Sequence, residues 1–491
     1  MDKLTQEIVP ILVLCVIIAI FIARLPKVDL DHSRQFLRRR LWNWVPLGLT
    51  YAFLYMARYN LTVLKNMGGI LQRDYGNIDF WGSLTYGVAF LLNGPLADRF
   101  GGRRAILAAA AGALVANALI GILWWTGAID GTSTTALAFL FMLNMYFQSF
   151  GAVAIIKVNA SWFHLRERGT FGGIFGTLIS LGLYFAFDWG SRIGEAGCPG
   201  CAAKHGTGAA FQGFAWLFLV PAAILAVFWA LSYLFVRDTP ASAGLTDFDV
   251  EDASSGAPAL HETAVQVILR MLRNPVVMTI AVIELCSGFL RQGILKWSND
   301  FAGGIGARDL YVFRHWGMVS CIAGITGGMF AGVISDHVFK SRRLPVAMLL
   351  YLIMLGGAMA LVPLLGAPLA VSWIIAFMAM AIIGVHGMLS GVASQDFGGR
   401  LHAGVAVGLI DGFVYLGSAI QDQVYGGYGS LLPEKGTPAA KLVSNWQAWP
   451  IAMIPVAVIG LVLCRRIWSA HIPSRPRANR VDVPPAVIVA G

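Results

Sequence analysis

Tyr51-Ala52-Phe53-Leu54-Tyr55-Met56-Ala57-Arg58-Tyr59-Asn60 lies inside a long apolar segment flanked by Trp42, Trp44 and Lys65. An arginine at that depth is costly unless it faces protein or water. Gly288-Phe289-Leu290-Arg291-Gln292-Gly293 repeats the pattern between Pro275 and Trp297. One intramembrane arginine in each half of the chain is the feature that any functional account has to explain.

The surrounding composition fixes the solvent. Of 491 residues, 57% are hydrophobic and 13% charged, whereas soluble domains carry about 25% charged residues. The chain reads as an all-α polytopic membrane protein, and at roughly 20 residues per span its length holds about a dozen spans and no soluble domain. The net charge of +10 invites a nucleic-acid reading. Its placement in alternate loops argues for topology instead, so no nucleic acid is expected.

Twelve spans are predicted at 42–65, 79–97, 104–127, 135–162, 170–191, 209–235, 274–297, 310–335, 344–364, 370–394, 403–427 and 446–464. Loops after the even-numbered spans collect Arg99/Arg103/Arg104, His164/Arg166/Arg168, Arg237, Lys340/Arg342/Arg343, Arg400 and Arg465/Arg466, which places them inside. An apolar run at 8–24 precedes a basic cluster from Arg24 to Arg40 and reads as an extra N-terminal transmembrane helix with its basic linker, 1–41. The remaining units are a six-helix bundle over 42–235, a central cytoplasmic loop over 236–273, a second bundle over 274–467 and a cytoplasmic tail over 468–491, which is expected to be disordered. Within the loop, 239–244 and 254–258 read as flexible linker, and 262–272 has the spacing of a surface helix.

The two halves repeat. Gly94-Pro-Leu-Ala-Asp98-Arg99-Phe-Gly101-Gly102-Arg103-Arg104 follows the second span, and Gly332-Val-Ile-Ser-Asp336-His-Val-Phe-Lys340-Ser-Arg342-Arg343 follows the eighth. The aspartates recur at an offset of 238 (336 − 98) and the arginines at 233 (291 − 58). The first copy resembles the G-x-L-x-D-R-x-G-R-R signature of the major facilitator superfamily. That resemblance implies a major facilitator fold of two pseudo-symmetric six-helix bundles, with Asp98, Arg99 and Asp336 latching the inner gate. A tight turn carrying topology charges is the alternative reading of the same residues.

Tyr51, Tyr55 and Arg58 are spaced i, i+4 and i+7, which puts them on one helix face. Counted from Trp44 and Pro275, the two arginines lie roughly 21 and 24 Å from the inner ends at 1.5 Å per residue. Two guanidiniums flanking one cavity suit a compact dianion: the charge is permanent and the donors form a planar fork. The competing arrangement pairs each arginine with an internal acid, for which Glu284, on Arg291's face, and Asp411 are the candidates.

Tyr51-x-x-x-Tyr55-x-x-Arg58-x-Asn60, Tyr86-Gly87, Glu167-Arg168-Gly169 and Phe289-Leu290-Arg291-x-Gly293-x-Leu295-x-Trp297 resemble the organophosphate:phosphate antiporter family, as do Ala323-Gly324-Ile325-x-Gly327 and Tyr415-Leu416-Gly417. The resemblance implies that Arg58 and Arg291 grip phosphate and that Tyr51, Tyr55 and Tyr86 line the pocket. Where the family's glycerol-3-phosphate transporters carry a lysine in span two and a histidine in span five, this chain has Phe90 and Ile179, which makes the pocket more apolar.

Other polar residues carry two readings each. Lys157 and Asp411 sit at similar depth and are expected as an inner gate pair, or with Lys157 lining the substrate path, or with each finding another partner. Asp411 and Glu284 are further candidates for gating or coupling. Gln421, Asp422, Gln423 and Asp188 lie toward outer helix ends, where solvation or an outer gate accounts for them. His386 reads as a packed polar side chain or a titrating group. Cys198 and Cys201 form a loop CxxC that favours a disulfide over zinc. No Walker A, HExxH or GxSxG pattern occurs, so neither an enzyme nor a cofactor nor a metal is expected.

The expectation is a monomeric secondary transporter in a bacterial inner membrane. It would move a small organic phosphate or similar anion by alternating access, with inorganic phosphate or a proton as coupling ion. The alternatives are a membrane sensor of a sugar phosphate and an exporter or proton-coupled carrier of another anionic or amphiphilic phosphate.

Overall fold

The computed structural model describes residues 33–468 apart from 165–167, 200–208, 249, 251–263 and 340–342. The side chains of 168–175, 209–211, 264, 336–337 and 391–402 also lie outside the description. The extra helix expected at 8–24 and the tail from 469 fall outside it too.

Among the described residues there is no strand, and twelve long helices follow one another. They are α1 (Arg34–Asn66), α2 (Gln72–Phe100), α3 (Gly102–Trp125), α4 (Thr134–Trp162), α5 (Arg168–Tyr184) and α6 (Trp216–Phe235), then α7 (Pro275–Leu295), α8 (Trp316–Val333), α9 (Arg343–Leu364), α10 (Pro368–His386), α11 (Ser394–Gly426) and α12 (Ala448–Arg466). Nine of the described helices are long and apolar enough to cross a membrane. α1 and α2 miss that mark because they carry the buried polar groups Arg58, Lys65 and Asp79. Among the described residues three π-helical segments interrupt the regular pitch: Phe185–Trp189 after α5, Ile334–Val338 after α8 and Gly387–Ala393 after α10.

Local chemistry sets the helix ends. α1 begins earlier than expected because Ser33 Oγ accepts the Phe36 N–H at 3.2 Å, an N-cap bond. Phe36 then packs on Trp162, with ring centroids 5.8 Å apart. Asn274 accepts from Val276 and Val277 and is followed by Pro275 at the first helical position, so α7 starts as a capped, proline-led helix. Gly101 joins α2 to α3 at φ +91°, a backbone that other residues rarely adopt.

The 239–244 stretch is not a loose linker. Thr239 and Ser242 exchange side-chain-to-backbone hydrogen bonds at 3.1 Å, and Phe248 meets Phe36 edge-on at 5.5 Å. These contacts dock the start of the loop on the inner face. The expected surface helix forms over Ala264–Arg273. Val267 and Met271 are buried against Val405, Ala406 and Leu409. Cys198 is disulfide-bonded, and Cys201 lies outside the described residues.

The first and second halves meet along α2 and α11. A Cβ on Gly94 would stand 2.4 Å from the Gly404 carbonyl oxygen, and one on Gly408 would stand 2.4 Å from that of Phe90. Gly87 and Gly412 face each other further out, and Gly76 and Gly426 beyond them. Small residues at this spacing let two backbones touch without an intervening side chain. α5 packs on α8 with a small side chain between them, where Gly324 faces the Ser180 hydroxyl.

Candidate functional site

Arg58 is held from three sides. Its Nε donates to Gln148 Oε1 at 3.0 Å and one terminal nitrogen to Tyr86 Oη at 2.7 Å, while the other donates to Tyr415 Oη. Gln148 is itself fixed by an amide chain: it donates to Asn144 at 3.0 Å, Asn144 accepts from Asn117 at 3.1 Å, and Asn117 accepts from Asn60 at 2.6 Å. The guanidinium also lies 4.7 Å from the Tyr55 ring centroid and 4.6 Å from that of Tyr86. This network pre-orients the fork before any ligand arrives.

Arg291 differs. It is 2% exposed, its Nε has no partner, and it forms no hydrogen bond or ion pair among the described residues. Tyr55 and Tyr415 lie within electrostatic reach of both guanidiniums. Tyr51 lies 5.5 Å from Tyr55, centroid to centroid. Tyr59 donates to Gln292 across the halves at 3.1 Å. Phe90 and Ile179 are both buried, and Phe90 packs on Tyr86 at 4.7 Å and on Tyr415 at 5.8 Å.

Neither arginine takes an acid as partner among the described residues. Glu284 Oε2 is 3.2 Å from His386 Nδ1, and Asp411 accepts from Ser390. The expected Lys157–Asp411 pair is corrected: Lys157 is ion-paired with Asp98 at 2.7 Å. Matched depth along two helices leaves their rotation open, and Asp98 on neighbouring α2 is within reach. Lys157 thus stands at the inner end and not beside the arginines. Asp98 also accepts the Gly404 and Val405 N–H groups of α11 at 3.1 and 3.0 Å, so it clasps the two halves together. Arg99 is exposed, and the Asp336 side chain lies outside the described residues.

The outer end is closed by charges of which the sequence reading singled out only Asp422 as a gate candidate. Lys65 pairs with Asp300 and donates to the Lys296 carbonyl at 2.9 Å. Lys296 pairs with Asp79 and with Asp422 at 3.2 Å. Ser83 donates to Asp422 at 3.0 Å. Trp297 lies over Lys65, 4.1 Å from ammonium to ring centroid. Beyond this lock, Glu434 caps α2 by accepting from Gln72 N at 2.7 Å and Arg73 N at 3.1 Å. Arg308 and Lys435 both donate to the Asn66 carbonyl, at 2.7 and 2.6 Å. Lys65 is seven residues beyond Arg58, on the same face of α1, and that spacing was the available signal.

A bundle of apolar helices around a buried basic site, with ion pairs joining its two halves, has the architecture of a membrane transporter. Residues 47–421 match the family described as the Major Facilitator Superfamily, and the chain belongs to it. It is 26% identical to the glycerol-3-phosphate transporter of Bacillus subtilis, over 90% of this chain and 95% of that protein. It is 24% identical to the membrane sensor protein UhpC of Escherichia coli, over 86% and 89%. These relatives are consistent with the organophosphate:phosphate antiporter family. In fold the chain is similar to a bacterial homolog of the lysosomal transporter Spinster in an inward-facing, occupied conformation. The TM-score there is 0.60 at 12% identity, covering 91% of this chain and all of that one. The outward-facing transporter FucP gives a TM-score of 0.58 at 11% identity, over 86% and 97%.

Proposed function

We propose that this chain carries a small organic phosphate across a bacterial inner membrane by alternating access, in exchange for inorganic phosphate. The observation that carries the reading is Arg291, a permanent cation buried at 2% exposure with no hydrogen bond or ion pair among the described residues. Burying an unpartnered charge is unfavourable by several kcal/mol, roughly, and a ligand with several acceptor oxygens relieves it. With Arg58 the site supplies two positive charges, which match the roughly −1.5 to −2 of a phosphate monoester. Tyr51, Tyr55, Tyr86 and Tyr415 add neutral hydroxyls. Phe90 and Ile179 favour an organic portion that is less polar than glycerol.

The bundles 42–235 and 274–467 act as the two moving bodies, tethered by 236–273. Opening outward breaks Lys65–Asp300 and Lys296–Asp79 and releases Ser83 from Asp422. Opening inward breaks the Asp98 clasp on α11, with Lys157 holding Asp98, and Arg99 and Asp336 completing the latch. The relative named a glycerol-3-phosphate transporter supports this reading.

Labelled phosphate entering phosphate-loaded proteoliposomes, but not empty ones, is the expected result. Equal entry into both contradicts exchange. Two relatives named membrane sensors favour a second reading, ligand binding without flux, and the same assay separates the two.

A further inference from the structure

We infer that the Glu284–His386 pair, with Asp411 beside it, is a proton-binding site that loads when the anion binds at the arginines. This inference rests on the phosphate reading above. Glu284 is fully buried and His386 4% exposed. One Glu284 oxygen faces His386 at 3.2 Å; the other, near Ser287, is buried without a hydrogen-bond partner among the described residues. That oxygen is where a proton can be taken up, and the positive charge of nearby Arg291 favours the ionised carboxylate until an anion offsets it.

The site is built by an irregular helix. α10 ends at His386, and the π-helical segment Gly387–Ala393 follows at once. That change of pitch presents Ser390 to Asp411 while His386 reaches Glu284. π-segments of this kind recur at functional positions. The titratable groups around Glu284 are Arg291 and Cys286 on α7, Tyr351 on α9, His386 on α10, Asp411 on α11 and Cys464 on α12. Tyr351 is committed to the Ile283 carbonyl at 2.5 Å. The acids therefore dominate their side of the site.

Charge balance supplies the linkage. Arg58 and Arg291 against ionised Glu284 and Asp411 sum to zero when the site is empty. A bound dianion takes the sum to −2 in a water-poor interior, where net charge is strongly unfavourable. A proton from solvent adding to the Glu284 carboxylate, with no other bond broken, moves the sum back toward zero. Anion-for-anion exchange carries the proton in both directions with no net movement, whereas net anion movement carries it across.

Purified protein in weakly buffered detergent solution with a pH indicator tests this directly. At about pH 8 phosphate is already mostly a dianion, and adding it should draw up about one proton per phosphate bound, by linkage. Glu284→Gln protein that binds phosphate should show this uptake reduced several-fold, and His386→Gln an altered pH profile of uptake. Phosphate binding without proton uptake by the wild type overturns the proton site alone. No phosphate binding at all overturns both the site and the reading beneath it. The wild-type stoichiometry decides even if the variants fail to fold.

Discussion

Asp188 and Asp422 hold matching places in the two repeats, at an offset of 234 (422 − 188), and each faces the helix opposite at the partner offset, since Ser83 and Gly317 are also 234 apart (317 − 83). Asp188 accepts the Gly317 and Met318 N–H groups at the start of α8, at 3.0 and 3.1 Å. Asp422 accepts the Ser83 hydroxyl and holds Lys296. One repeat thus uses its outer aspartate as a helix cap, and the other uses it as an anchor for a buried lysine. The pseudo-symmetry of position is kept while the chemistry diverges.

That divergence predicts unequal effects on outer closure. Lys296→Ala leaves Asp79 and Asp422 uncompensated, which should weaken the closed outer state by about 3–5 kcal/mol. Asp188→Ala removes only a cap, about 1–2 kcal/mol. A cysteine placed at Ser418, 3.3 Å from Lys296 Nζ, should react with an impermeant thiol reagent in the Lys296→Ala background far faster than in the Asp188→Ala background. Equal rates would remove the lock from the account.

The segment after α11, whose Glu434 caps α2 and whose Lys435 holds the Asn66 carbonyl, forms a lid over the outer end that should respond to pH. Burial, and then Arg308, lower the Lys435 ammonium from its usual 10.5 to about 7. The closed lid therefore favours the neutral amine. Closure gains stability as pH rises from about 7 toward 10.5, loses it as pH falls back over the same range, and is independent of this group below about 7. Labelling of Leu432→Cys, corrected for thiol ionisation, should quicken on acidification through that range. The step should vanish in Lys435→Met.

The α2–α11 seam makes a third prediction. Gly94→Ala would push a methyl group to 2.4 Å from the Gly404 oxygen, an overpacked contact that disfavours the closed seam by about 1–3 kcal/mol. Gly328→Ala meets nothing within 4 Å. Melting temperatures should fall for the first and hold for the second. A matching fall in both would mean that helix glycines matter here for reasons other than close approach.

Much of this architecture was legible in advance. The helices, their order and the two arginines could be read because an intramembrane charge is unfavourable unless it is used, and because Arg58 and Arg291 recur with the Asp98 and Asp336 motif. Lys65, Asp79, Lys296 and Asp300 escaped because they sit near helix ends, where solvation is the default. Their partners are also far apart in sequence, 235 residues for Lys65 and Asp300. Of the arrangements open to Lys157 and Asp411, separate partners hold rather than the gate pair, because depth along a helix does not fix its azimuth. The π-helical turn that joins His386 to Glu284 and Ser390 to Asp411 has no counterpart in side-chain periodicity.

The two arginines should not be interchangeable with lysines. Loss of a charge-assisted hydrogen bond is worth about 1.5–3 kcal/mol, so Arg58→Ala or Arg291→Ala should weaken anion affinity roughly 10- to 150-fold. Arg→Lys should restore only part, because a point charge cannot reproduce the planar fork. Arg58→Lys should fare worse than Arg291→Lys, since only Arg58 uses all three nitrogens on Gln148, Tyr86 and Tyr415.

Labelled-phosphate counterflow in proteoliposomes, comparing the wild type with Arg291→Ala at matched insertion, tests the central claim most directly. The account predicts counterflow in the wild type and its loss in Arg291→Ala. Counterflow at the wild-type rate without the Arg291 guanidinium would contradict it.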